Sequence, residues 1–238
     1  ILGQSDKVML QQMMDEATVG CYGAALNFGG IMFTLFTALN NSWCPFFFED
    51  MKQGNRENLR EKAGNFLELF TVLSAGFVLL ASEVYRYVYV SRDFWGSTML
   101  IPIFVSSYYT NFLCTFPVNF EYYHKKTKVV SIITIVSSLI NVGLNYLLIL
   151  RIGMAGAAVA TLISHSLQLT LHYLYVRFAL GGKEYPFPLK MWVGYAAVFA
   201  AVAVASVAAD GLWLARWGLG AAVGLWELLR IRKRKVLI

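Results

Sequence analysis

Charge is scarce in this sequence. Asp, Glu, Lys and Arg make up 14% of its 238 residues, against roughly 25% in an average soluble domain. Histidine and cysteine number 3 each. Cys21, Cys44 and Cys114 lie far apart inside apolar runs. They have neither metal-ligand spacing nor the pattern of a disulfide framework, and they read as small buried hydrophobes. His165 and His172 are seven apart on one expected helix, and His124 falls in a loop. A membrane haem would need a second helix to supply its other ligand. Gly-x-Ser-x-Gly, His-Glu-x-x-His and a phosphate loop are all missing, which argues against an enzyme and for a role without cofactor or metal.

What the chain does have is apolar length. Hydrophobic residues make up 58% of it, and the few charges fall in clusters separated by runs about as long as a membrane span, roughly 20 residues. The expectation is an all-α membrane protein, a polytopic helical bundle. One partial span covers about 1–14, and seven full spans cover about 18–48, 64–90, 98–121, 129–150, 154–179, 191–209 and 211–229. The chain opens without Met and inside a helical pattern (Ile1 to Met14), so it is expected to be part of a longer protein. The segment Lys52–Lys62 mixes both charge signs and reads as a solvated connection between helices. The formal net charge of +6 comes without an RNP-like or zinc-finger pattern. It therefore reads as membrane topology, not as a nucleic-acid footprint.

Orientation follows from the basic residues. Lys52, Arg56, Arg60 and Lys62 share one side with Lys125, Lys126, Lys128, Arg177, Lys183 and Lys190. The tail adds Arg230, Arg232, Lys233, Arg234 and Lys235 to that side, making fifteen. The other side holds four: Arg86, Arg92, Arg151 and Arg216. The two groups alternate span by span. By the positive-inside rule the basic side and the C-terminus face the cytoplasm, in the cytoplasmic (inner) cell membrane. Tyr85, Tyr87, Tyr89 and Trp95, with Trp192, Trp213, Trp217 and Trp226, give the aromatic belt expected at the interfaces.

Polar residues inside the spans form stripes at helical spacing. They are Asn27, Thr34 and Asn41; Ser107, Asn111, Thr115 and Asn119; Thr134, Ser138, Asn141 and Asn145; and Thr161, His165, Gln168 and His172. Such stripes either bond helix to helix or line a water-filled cavity. Four in succession favour the cavity. The last two spans have almost no polar face, and they are expected at the periphery. Gly153, Gly156, Ala160 and Ser164 form a ridge of small residues for close packing. Ionisable residues at membrane depth mark ion pathways or pairs. Asp6 is the first candidate for a proton or cation site, with an ion pair to another helix as its alternative. Glu68 is the second. Glu83 and Arg86, three apart, suggest a local ion pair, and Glu121 reads as a solvated interface residue.

The run Lys125-Lys126-Thr127-Lys128, then Asn141-Val142-Gly143-Leu144-Asn145, then Gly153-Met154-Ala155-Gly156-Ala157-Ala158 resembles the polysaccharide-export flippases. These belong to the MATE-like multidrug/oligosaccharidyl-lipid/polysaccharide superfamily. Ser5-Asp6-Lys7, followed by Gly20-Cys21-Tyr22-Gly23-Ala24-Ala25, resembles the start of the second half of that family, as does Pro45 ending the second span. Leu150 stands where the family usually has proline.

The resemblance implies two six-helix bundles around a central cavity, with two extra C-terminal helices. On that plan residues 1–180 are the second bundle, from a partial seventh span to the twelfth. Residues 181–238 are two peripheral helices and a basic tail, and the partner N-terminal bundle lies outside this chain. The implied activity is flipping of undecaprenyl-diphosphate-linked oligosaccharide across the membrane, coupled to H+ or Na+. Asn27, Asn41, Asn111, Asn119, Asn141 and Asn145, with Thr161, His165 and Gln168, would face sugar hydroxyls, because amides and hydroxyls both donate and accept. A multidrug exporter or a peptidoglycan-precursor flippase of the same superfamily stays open. From other classes, so do a membrane glycosyltransferase or ligase subunit and a structural membrane subunit.

Overall fold

The computed structural model describes residues 2–89, 91–180, 182, 184–209 and 211–234, with side chains for these except at 2–4 and 226–234. The protein is an all-α polytopic membrane protein. Among the described residues it has eight α-helices, a 3₁₀ segment and no strand. The helices are α1 (Leu2–Met13), α2 (Glu16–Gln53), α3 (Arg56–Val88), α4 (Ile101–Tyr123), α5 (Thr127–Ile152), α6 (Met154–Phe178), α7 (Leu189–Ala208) and α8 (Trp213–Arg234). The 3₁₀ segment Arg92–Leu100 runs directly into α4. Six helices, α2 to α7, are long and apolar enough to cross a membrane. The expected span at 211–229 is helical as α8 but is not among those six. Lys183 and Lys235 lie outside the described residues, as do the side chains of Trp226, Arg230, Arg232, Lys233 and Arg234.

Two expectations are corrected at the turn between α2 and α3. Pro45 does not end its span, because α2 continues through it to Gln53. Pro45 sits on an exposed face of α2. Lys52–Lys62 is not a connection either. The chain reverses at Gly54 and Asn55 alone. Gly54 takes the left-handed conformation (φ 73°), and its N–H reaches the Asp50 and Met51 carbonyls. The Asn55 side chain then caps α3 by accepting from the Asn58 N–H. Glycine reaches this conformation without a Cβ penalty, and asparagine is a strong N-cap, so two residues suffice. Across the turn Asp50 pairs with Lys62 at 2.9 Å.

The ends assemble consistently. At the basic end, the Tyr123 hydroxyl donates to the Met51 carbonyl and Arg60 Nε donates to the Pro186 carbonyl. At the opposite, basic-poor end, the Cys21 thiol reaches the Asp93 carbonyl and Tyr85 bonds Ser97. Between the ends runs a ladder of rings. Phe36, Phe70, Tyr109 and Phe112 pack against one another in the middle, and Trp43, Phe116 and Phe187 do so toward the basic end. α5 and α6 approach closely, since a Cβ at Gly156 would run into the Leu148 carbonyl. Gly156, Ala160 and Ser164 of the small-residue ridge are buried. α7 stacks Phe199 on Tyr109 at 4.4 Å, and α8 lies along α3.

Candidate functional site

Four residues singled out from the sequence come together at one buried place. Asp6, on α1, is 2% exposed. Its Oδ1 accepts from Asn145 Nδ2 of α5 at 2.6 Å. Its Oδ2 accepts from Thr161 Oγ1 of α6 at 2.8 Å and from the Tyr22 hydroxyl of α2 at 3.1 Å. Asn145 also donates to Asn141 Oδ1 at 3.2 Å, and Asn141 Nδ2 lies 3.5 Å from Thr161 Oγ1. The i, i+4 spacing of Asn141 and Asn145 puts both amides on the face of α5 that meets α1 and α6. Asp6, Asn145 and Thr161 each stand about two turns, ~10 Å, from the basic-poor end of their helices.

The electrostatics are unusual for so buried an acid. Among the described residues Asp6 forms no ion pair, and hydrogen-bond donors from three helices meet it instead. The alternative of an ion pair to another helix is not what is found. Asn145 Oδ1 is buried with no hydrogen-bond partner among the described residues. Turning that amide over would aim its oxygen at the carboxylate, an arrangement that is favourable only with a proton or cation between them. Asp6, Asn141, Asn145 and Thr161 together offer oxygen ligands only, the donor set of a hard cation or of a proton site.

The four stripes divide into two kinds. The α6 stripe is spent on bonds between helices. Thr161 goes to Asp6, His165 Nδ1 lies 3.1 Å from the Ser107 carbonyl, Gln168 Nε2 lies 3.4 Å from Thr134 Oγ1, and His172 meets Glu121. Asn119 is buried and accepts from the Cys44 thiol at 3.5 Å, and Asn111 is half-buried on the same helix. The α2 stripe stays open. Asn27, Thr34 and Asn41 are exposed, as are Thr37 and Ser42. The exposed residues of α5 are different: Ile132, Ile135, Leu139, Val142, Tyr146 and Leu150 suit lipid. A membrane helix whose uncovered face carries amides and hydroxyls faces water or another protein surface. Glu68 is buried on α3, outside the Asp6 network.

Three relationships were not anticipated. Glu121 is not solvated: it is fully buried against His172. Glu83 is engaged by Arg216, brought in from α8, while the Arg86 cation lies over the Trp95 ring. Tyr22 completes the Asp6 shell. The available signal was a charge one turn inside an apolar helix, seen at both Glu121 and Arg216. A cavity of about 160 Å³ lies apart from the Asp6 network, between α3, α4 and α7, lined among others by Arg86, Trp95, Thr98 and Ser206.

No family model matches the chain. It is 27% identical over 141 residues to an uncharacterized membrane protein of Haemophilus influenzae, a match covering 59% of this chain and 35% of that protein. The chain thus spans about a third of the length of the curated relative it matches. Fold and comparison agree on a membrane-embedded helical protein.

Proposed function

We propose that this chain is the ion-coupled half of a flippase for lipid-linked oligosaccharides. Its substrate would be undecaprenyl-diphosphate-linked repeat units, carried from the cytoplasmic to the outer leaflet for polysaccharide synthesis. The observation that carries the reading is Asp6, a buried carboxylate with no counter-cation among the described residues, held by donors from α2, α5 and α6. A site of this kind changes its bonding when a proton or cation arrives, and four helices, α1, α2, α5 and α6, meet at it. The exposed amides of α2 add the second element. Asn27 and Asn41 offer donors and acceptors to sugar hydroxyls without a net charge, and they favour a glycan over the cationic drugs of an exporter. The N-terminal bundle would close the other side of the cavity and supply cations for the diphosphate. The fifteen-to-four distribution of basic residues orients the basic end and the C-terminus toward the cytoplasm.

The test is flipping of a lipid-diphosphate oligosaccharide in vesicles containing the whole protein, under an imposed Na+ or pH gradient. Stimulation by one gradient is expected, lost in Asp6→Asn and reduced in Asn27→Leu with Asn41→Leu. Equal flipping in protein-free vesicles removes the substrate assignment. Full gradient response in Asp6→Asn removes the coupling assignment.

A further inference from the structure

Glu121 lies two residues beyond Asn119 near the end of α4, and His172 ends the polar stripe of α6. Both side chains are 0% exposed, and His172 Nδ1 lies 2.9 and 3.0 Å from the two carboxylate oxygens. The other ring nitrogen, Nε2, is buried with no hydrogen-bond partner among the described residues. This pair has no comfortable state. A neutral imidazole donating from Nδ1 leaves a net negative charge in an apolar interior. An imidazolium cancels the charge but leaves a buried N–H with nothing to receive it. The first state buries an uncompensated charge, and the second buries an unmet donor.

The surroundings are built around the pair. Residues 184–188, between α6 and α7, lie as a strap across the basic end. Arg60 holds the Pro186 carbonyl at 3.0 Å, and Phe187, 1% exposed, is wedged against Trp43 and Phe116. Tyr185 stands edge-on to Phe120, the neighbour of Glu121, with a buried hydroxyl that has no hydrogen-bond partner among the described residues. Burial, with Tyr173, Cys114 and Glu121 nearby, pushes that phenol well above its ordinary value, so it stays protonated. The titratable groups near Glu121 and Tyr185 are Cys114 of α4 and Tyr173 of α6, with His124 packed on Phe120 at the end of α4. Asp50 of α2 and Lys62 of α3 match each other at this end, and Lys128 of α5 and Lys190 of α7 are exposed.

We propose that Glu121 and His172 form a proton-binding site at the basic end of the bundle, reached past the Tyr185 hydroxyl and separate from the Asp6 site. A proton taken from water converts the anionic pair to a neutral one, and hydroxide remains in the bulk. α6 carries a member of each site, Thr161 and His172. These are eleven residues apart, about 16 Å along the helix, so one rigid element contacts both buried acids.

Proton binding is measured without transport, so its failure is separable from failure of the flippase reading. The experiment is nitrogen NMR of the whole protein in lipid nanodiscs, with ¹⁵N-labelled histidine and the His172 signals assigned by their loss in His172→Gln. A single titration step is expected at the His172 ring. That step is lost in His172→Gln, moved by more than about one pH unit in Glu121→Gln, and unchanged in Asp6→Asn. A His172 ring that keeps one protonation state at every pH where the unsubstituted protein stays folded overturns the proposal, whether or not the variants fold. A step that ignores Glu121→Gln in a folded variant overturns it equally.

Discussion

Asn145 Nδ2 lies 2.6 Å from Asp6 Oδ1, across 139 residues of sequence. The bond joins the first helix to the fifth. Thr161 adds a second donor from α6 at 2.8 Å. Because both donors converge on one carboxylate, their effects should not add. Thr161→Val keeps the shape of the side chain and removes the hydroxyl. It should lower unfolding stability by about 1.5–3 kcal/mol, the typical worth of a hydrogen bond to a charged group, with the Tyr22 hydroxyl left as a donor to Oδ2. In an Asp6→Asn background the same change should cost clearly less, with a coupling of about 0.5–3 kcal/mol. Thermal unfolding of the four proteins in detergent measures the cycle. Strict additivity would mean that the hydroxyl and the carboxylate do not interact.

Arg216 makes the corresponding link for α8. Its Nε and Nη2 donate to the Leu79 carbonyl at 3.2 and 2.9 Å, and Nη1 pairs with Glu83 at 3.2 Å. It is 2% exposed. Removing one member of a buried pair costs about 3–5 kcal/mol, because the other charge is left behind. Arg216→Ala is therefore expected to release α8 from α3 and expose it to protease, while Arg216→Met with Glu83→Gln recovers most of the loss. Arg216→Lys should behave like alanine, because a single ammonium cannot reproduce the guanidinium fork. Limited proteolysis of the variants in detergent reads the outcome, and an α8 equally protected in Arg216→Ala would show that apolar packing alone holds it.

The helices were legible in the sequence because each apolar run has to match the thickness of a bilayer, and length is a one-dimensional property. That same criterion hid the ends of α2 and α3. It ended the first of them at residue 48, before Glu49, and began the second at residue 64, after Lys62, although most residues between are good helix formers and only Gly54 demands a break. The site was legible residue by residue: Asp6, Asn141, Asn145 and Thr161 each stood out as a polar group at membrane depth. Their partnership was not, because spacing along one helix says which residues share a face and not which helix that face meets. The stripe on α6 and the stripe on α2 look alike in sequence. One is consumed by bonds to neighbouring helices and the other is bare, a difference that only packing decides. Glu121 and Arg216 were misplaced for the same reason, since their partners lie 51 and 133 residues away.

The start of α2 gives a pH dependence of known sign. Asp15 caps the helix, accepting from the Thr18 N–H at 2.7 Å and from the Thr18 hydroxyl at 3.1 Å. These bonds hold its carboxyl below the ordinary value of 3.8. A depressed folded value means that the stabilisation is fully present above about 3.8 and is lost as pH falls through the lower folded value. Asp15→Asn keeps a side-chain acceptor and cannot titrate. Its unfolding temperature should therefore fall less than that of the unsubstituted protein as the buffer is taken from pH ~5 to pH ~3. Asp15→Ala should be less stable than both at the upper end of that range. Parallel acid profiles for the asparagine variant and the unsubstituted protein would remove the cap as a source of pH dependence.

The bare stripe on α2 makes the sharpest prediction about the cavity. Asn27 and Asn41 are exposed and have no hydrogen-bond partner among the described residues, while Thr34, Thr37 and Ser42 only bond back to their own helix. On α5 the exposed positions Ile135, Leu139 and Leu147 are all apolar. If the first face borders water and the second borders lipid, single cysteines will tell them apart, because thiolate forms only where water reaches the sulfur. Cys21, Cys44 and Cys114 are first replaced by serine or alanine. Cysteine at 27, 34 or 41 should then react with a membrane-impermeant maleimide in intact vesicles of the whole protein, from at least one side. Cysteine at 135, 139 or 147 should stay unlabelled until detergent is added. Addition of the lipid-linked glycan should slow labelling at 27 and 41. Unreactive cysteines at all three α2 positions would mean that a dry protein interface covers that face, and the amides of Asn27 and Asn41 would then be helix-packing groups, not ligands for a sugar.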